Sequence, residues 1–208
     1  MPKSRTRKKS KKVSSRQVDW GGPATKASGR INLVLGVIAV AALVAGGLYL
    51  WRNYQTSGDF EALAARGQAA LARVETTTNL GGGHLAPGQG HVYNERFPTS
   101  GIHHRVPLNP GFYRDPQPAT KRVHSVEHGH IVIYYESPGT EAMRLLEDWT
   151  SLYGGLWSGV TATPSSGLGP AVVLTAWRKL LRLDEFDPAA AAAFIDKYRG
   201  RGPENPVR

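Results

Sequence analysis

The 208-residue chain carries 26 Lys/Arg against 16 Asp/Glu, a formal net charge of +10. The excess sits at one end: residues 1–30 hold ten Lys/Arg and one Asp, while residues 52–208 hold sixteen Lys/Arg and fifteen Asp/Glu. That distribution excludes a basic nucleic-acid-binding domain for the bulk of the chain, and the absence of cysteine excludes disulfides and thiolate metal sites.

Residues 1–30 read as a disordered basic tail. From Ile31 to Trp51 no residue is charged, a run of 21. At about 1.5 Å per residue such a run crosses a hydrocarbon core of roughly 30 Å. Tyr49 and Trp51 stand at its far end, where amphipathic rings favour an interface. A cleaved signal peptide has a shorter apolar stretch and a small-residue cleavage site, and a buried core helix keeps a polar face. Ile31–Trp51 therefore reads as an uncleaved anchor in the lipid bilayer. The basic side lies N-terminal, which predicts a cytoplasmic tail and an extracytoplasmic C-terminal domain at a plasma membrane of bacterial type.

Residues 52–80 read as a juxtamembrane helix and a linker. Phe60, Leu63, Ala64, Gly67, Leu71 and Val74 recur at helical spacing, and "TTTNLGGGH" has linker composition. The domain proper is expected over residues 81–204, with a tail over 205–208. Residues 84–120 are too rich in Pro and Gly for regular periodicity and read as one long ordered loop, its aromatics (Tyr93, Phe97, Phe112, Tyr113) packing inward. "IVIYYE" (131–136) predicts a strand. "PGTEAMRLLEDWTSLYGG" predicts a helix with Thr140 at its N-cap. "LWSGVTATP" and "AVVLTAW" (171–177) predict two further strands, the second able to continue through "RKLLRL", and a last helix starts with Asp187 as cap and Pro188 at its first position. This order predicts an α+β domain with a three- or four-stranded sheet, two or three helices and the long Pro/Gly/His-rich loop.

All seven histidines, at 84, 91, 103, 104, 124, 128 and 130, fall within 47 consecutive residues. Carboxylates in that window number three, Glu95, Asp115 and Glu127. An imidazole-rich site suits copper or zinc and not Ca²⁺ or Mg²⁺, which take oxygen ligands. On a helix His124 and His128 share a face beside Glu127. On a strand His124, His128 and His130 point together. Gly129 and the β-branched run after it favour an extended or turn-like segment. His124-x-x-Glu127-His128 also matches an inverted zinc-peptidase motif, but that motif needs a helix, whose signal fails at Gly129, and a further acidic ligand from a much larger enzyme.

His84, Tyr93, Pro98-Thr99-Ser100-Gly101-Ile102-His103, Gly111-Phe112-Tyr113, Val123-His124-Ser125-Val126-Glu127-His128-Gly129, Thr175-Ala176-Trp177 and Pro203-Glu204 together resemble the DUF3105 family, a domain of unknown function. The resemblance covers roughly residues 84–204. It departs at Phe97, where the family has the first of two prolines, and between His103 and Gly111, where a Trp is missing. It implies a shared histidine set of His84, His103, His124 and His128 with Glu127 among them, and leaves His91, His104 and His130 outside. It also implies a membrane-anchored or exported protein, and no activity.

Three functions compete. In the first, the four imidazoles converge on one copper or zinc ion, with Glu127, Tyr93 and Ser100 hydrogen-bonding the ligands from behind. In the second, such an ion activates water for hydrolysis, with Glu127 or the remaining histidine as base. The third is a metal-free domain that docks on a membrane-protein partner. None of the three involves nucleic acid.

Overall fold

The computed structural model describes residues 27–208, with side chains from Leu33 onward. The expected basic tail therefore lies, up to residue 26, outside the described residues. The chain divides into two compact units, the second running from Leu48 to Arg208.

Helix α1 (Ala27–Arg66) opens the described chain. Its portion from Leu33 is long and apolar enough to cross a membrane, and its most apolar stretch is wholly unburied. Leu43 is 75% exposed and Leu50 68%. A signal sequence shares this length and apolarity. The last turns of α1 behave differently. Phe60 and Ala64 are buried, and Phe60 meets Trp149 and Tyr153 edge-to-face at 5.6 and 5.1 Å. The helix stops at Gly67, where a Cβ would lie 1.9 Å from the Ala189 carbonyl oxygen. A 3-10 turn (Gln68–Arg73) follows. The residues spaced as an amphipathic face thus pack onto the domain.

Six strands form one mixed sheet in the order β1-β6-β5-β3-β4-β2. Four have five residues each: β3 (Ile131–Tyr135), β4 (Val160–Pro164), β5 (Val172–Ala176) and β6 (Lys179–Leu183). β3, β4 and β5 are expected from composition, whereas Lys179–Leu183, read as a continuation of the 171–177 segment, turns back at Arg178, with φ of +57°, and pairs with β5 as a strand of its own. The other two, β1 (Glu75–Thr76) and β2 (Gly111–Phe112), are two-residue edges, too short to leave a period in the sequence. β3 and β4 run parallel, joined by α3 (Thr140–Leu152), while β5 pairs antiparallel with both β3 and β6. Helix α4 (Pro188–Tyr198) closes the domain. Its cap is as the sequence predicts, the Asp187 carboxylate accepting from the Ala189 and Ala190 amides at 3.0 Å. Helix α3 differs, since Gly139 occupies the N-cap and Thr140 is the first helical residue.

Side chains alternate across β3. Ile131, Ile133 and Tyr135 face one core with Phe60, Leu146, Trp149, Phe194 and Ile195. Val132 and Tyr134 face another with Phe97, Val126, Val173 and Leu180. The first face is covered by α1, α3 and α4. The second is covered by the Pro/Gly loop and by a nine-residue helix, α2 (Ala119–Glu127).

Helix α2 corrects the expectation of an extended segment before β3. Gly129 does stop a helix, with φ of +91°, but the helix lies upstream of it, with Pro118 at its N-cap and His128 at its C-cap. The segment with linker composition is likewise tied to the sheet. Thr77 N–H donates to the Arg178 carbonyl, Gly101 N–H to Gly81 and His103 N–H to Gly83. Glycine-rich composition signals a lack of side-chain packing, and here backbone hydrogen bonds take its place.

Candidate metal centre

Two pieces of backbone deliver the histidines. Residues 83–85 run alongside His103: His103 N–H donates to the Gly83 carbonyl at 2.9 Å and Leu85 N–H to the His103 carbonyl at 2.7 Å. This parallel bridge sets His84 and His103 next to each other, with ring centroids 5.1 Å apart. The last turn of α2 supplies the other pair. His124 and His128 are four residues apart and so share one helix face, with centroids at 4.6 Å. The pairs meet at His124, whose ring lies 5.0 Å from that of His84 and 4.7 Å from that of His103. The four rings named from the resemblance are therefore brought together.

The donor atoms resolve into two groups, each with its ligand atoms within 4.8 Å of one another. One comprises His84, His103, His124 and Glu127, and the other His124, His128 and Glu204. His128 thus joins the cluster through His124 rather than as a fourth member of one set. His103, His124 and His128 are buried, while His84 and Glu204 are exposed.

Hydrogen bonds fix the tautomers. His103 Nδ1 lies 2.8 Å from the Gly101 carbonyl, and His124 Nδ1 lies 2.6 Å from the His104 carbonyl. A carbonyl only accepts, so each Nδ1 carries the proton, and in the neutral ring Nε2 is left as a lone pair facing the cluster. The Nε2 of His124 meets that of His128 at 3.0 Å. His128 Nε2 also lies 3.0 Å from Glu204 Oε2.

His103 Nε2 stands out among the buried atoms without a hydrogen-bond partner, which also include His128 Nδ1 and His130 Nδ1, because a carboxylate faces it. Glu127 Oε2 approaches it to 3.0 Å, yet the contact is not a directed N–H···O bond, and this fully buried nitrogen has no hydrogen-bond partner. An unpartnered buried polar atom costs about 1–3 kcal/mol. A lone pair and a carboxylate at such a distance repel each other unless a proton or a metal cation lies between them. Burial first, and the neighbouring rings of His103, His128 and His84 in addition, push His124 down to about 4, against the opposing hydrogen bond to the His104 carbonyl. Its ring is therefore neutral, as a ligand must be, throughout the physiological range.

The other residues named from sequence act at one remove. Tyr93 donates to the Ile102 carbonyl at 2.6 Å, bracing the loop that bears His103. Ser100 accepts from Leu80 N–H at 3.0 Å and donates to the Thr78 carbonyl at 3.3 Å, tying down the segment that leads to His84. Neither touches a histidine of the cluster. Glu127, expected behind the ligands, belongs to the donor set itself. His91 packs on Tyr93, and His130 donates to the Leu156 carbonyl at 2.7 Å. His104 contributes its carbonyl and not its ring.

Sequence reasoning missed two participants. Trp157 stacks on the His128 ring with centroids at 4.0 Å. Glu204 reaches the site because Gly202 lies against the end of α2, where a Cβ would come within 2.1 Å of the Glu127 carbonyl oxygen. The Pro203-Glu204 pair was the available signal, since it forms part of the resemblance. A family profile described as a protein of unknown function, DUF3105, matches residues 84–208. No curated protein and no solved structure matches the chain.

Proposed function

The chain belongs to the DUF3105 family of proteins of unknown function, and on that premise we propose that it is a single-span membrane protein holding one copper or zinc ion outside the cytoplasm. The basic residues before the span orient the tail inward by the positive-inside rule, and the domain follows on the other side. The lipid bilayer is its first partner, and a membrane protein that exchanges the ion with it is the second.

The observation that carries the metal reading is His103 Nε2. Its other nitrogen is committed to Gly101, it is buried without a hydrogen-bond partner, and a carboxylate faces it. A divalent cation removes both the unmet lone pair and the repulsion. Three imidazoles and a carboxylate form a four-donor set without sulfur, which favours Zn²⁺ or Cu²⁺ over Cu⁺. Ligands at the usual 2.0–2.1 Å in a tetrahedron stand roughly 3.3 Å apart, close to the 3.0 Å that separates His103 Nε2 from Glu127 Oε2. The C-terminal end of α2, with its partial negative charge, adds a further preference for a cation.

The test is elemental analysis of the full chain in detergent, purified without a histidine tag and then equilibrated with zinc or copper. About one equivalent should remain after desalting, and His124→Ala should lose it with an affinity drop of at least a hundredfold. A chain that retains neither metal would leave the metal-free interaction domain as the better reading.

A further inference from the structure

The two donor groups share His124, and His124 has one nitrogen to give. Its Nδ1–H is held by the His104 carbonyl at 2.6 Å, so the Nε2 lone pair serves one ion at a time. That rules out a pair of ions bridged by this ring. Nor do the six donors merge into one shell, because they resolve into two sets and not one. Any ion bound to His124 Nε2 in either set lies about 2.0–2.1 Å from that atom, so the two positions are at most roughly 4 Å apart. Each set contains one carboxylate, Glu127 or Glu204, so a divalent ion carries the same net charge in both. Each also has buried imidazoles and one exposed member, His84 or Glu204.

From this we propose that the cluster is a two-station site for a single divalent ion, which moves by ligand exchange about His124. The proposal rests on the metal-binding reading above. The resting station is His84, His103, His124 and Glu127, which offers four donors. At the second station the ion keeps its bond to His124, releases the other three and takes His128 and Glu204. With three protein donors it keeps coordination positions open for water or an incoming ligand, so this is the station of loading and release. No electron is transferred, and the ion stays divalent throughout.

The C-terminal segment is built to place Glu204 there. Gly200 N–H donates to the Gly129 carbonyl at 2.8 Å, and Val207 N–H returns to the Gly200 carbonyl at 2.8 Å. Between these anchors the chain bends at Pro203–Glu204, with Gly202 set against the backbone of residues 127–129. Glu204 is held by backbone contacts on either side while its side chain stays 43% exposed. A carboxylate on a fixed bend beside a buried imidazole can meet an arriving ion before the interior does.

A relay station changes rates and leaves the equilibrium at the resting station unaltered. The experiment compares the full chain and Glu204→Gln in detergent, loaded with Zn²⁺ and in parallel with Cu²⁺, measuring stoichiometry, Kd by competition, and transfer to a chromogenic chelator by stopped flow. Both proteins should bind one ion with Kd values within threefold, while loading and release in Glu204→Gln should each be at least tenfold slower. Two ions per chain would overturn the proposal. So would unchanged rates, or a weaker Kd with faster release, which would make Glu204 a ligand at rest. Absence of any metal from the wild-type chain would instead remove the metal reading itself, and the relay with it.

Discussion

The two faces of the sheet are built on opposite terms. The face under α1, α3 and α4 is closed by apolar side chains such as Trp149, Phe194 and Ile195, all essentially inaccessible to solvent. The face under α2 and the Pro/Gly loop shares one apolar layer, but beyond it buries Ser100, His103, His124, Ser125, His128 and His130. Apolar packing tolerates small errors, since each contact contributes a little and neighbours adjust. Buried imidazoles do not, because each nitrogen needs a partner or carries a cost of about 1–3 kcal/mol. One face is therefore a foundation, and the other is a polar site in which several buried imidazole nitrogens are left without a hydrogen-bond partner.

The largest separation of the two faces should come from Trp149→Ala. The ring is 1% exposed and packs against Phe60 and Phe186. Removing it leaves a cavity and should cost about 3–5 kcal/mol in chemical denaturation. The folded fraction should still bind zinc or copper with unchanged Kd. A parallel loss of affinity would mean that the faces are coupled and the comparison is wrong.

Acid should act chiefly through the histidine face. His130 is fully buried, and burial holds it down to about 4, with His128 adding to the effect and the Leu156 carbonyl opposing it. A folded value below the unfolded one, near 6.5, means that the unfolded chain binds a proton the native state refuses. The stabilisation is complete above about pH 6.5 and is lost as pH falls towards about 4, by about 3 kcal/mol for this one group. His124 shifts in the same direction. Denaturation of the metal-free chain, with chelator present, should show this slope between pH 7 and pH 4.5, and His130→Gln should flatten it by removing the titrating ring while keeping a donor for the Leu156 carbonyl. An unchanged slope in that variant would return the acid sensitivity to other groups.

The foundation was also the legible half. β3, β5 and α4 announce themselves through β-branched runs, alanine periodicity and the Asp187-Pro188 start, all of them local signals. The histidine face is assembled from distant pieces. The bridge between His84 and His103 depends on backbone atoms 19 residues apart in the chain, and composition alone made Thr76–His84 look like a linker. Helix α2 was hidden because Gly129 dominates its neighbourhood, although a glycine at positive φ ends a helix as readily as it begins a strand. Which residues cluster was nonetheless readable, because histidines and their spacing belong to the sequence. The division into two donor sets was not. It turns on which nitrogen of His124 is already taken, and on Glu204, a carboxylate 77 residues beyond Glu127 in the chain.

The smallest expected effect tests how far the supporting bonds of the histidine face reach. Ser100→Ala removes a hydroxyl that is fully buried and satisfies both Leu80 N–H and the Thr78 carbonyl. The loss in stability should be about 1 kcal/mol, well below that of Trp149→Ala. Its signature lies elsewhere. Leu80 leads directly into the Gly81–Gly83 stretch, whose carbonyls receive Gly101 and His103 N–H, so slackening it loosens His84 against His103. Zinc affinity should therefore fall by about three- to tenfold, less than the roughly 10–100-fold that follows removal of a group bonded directly to a metal ligand, because Ser100 acts through the backbone. The two variants should thus rank oppositely in stability and in metal affinity. If Ser100→Ala matched the wild type in affinity while losing the same stability, the loop would be ordering itself and not the site.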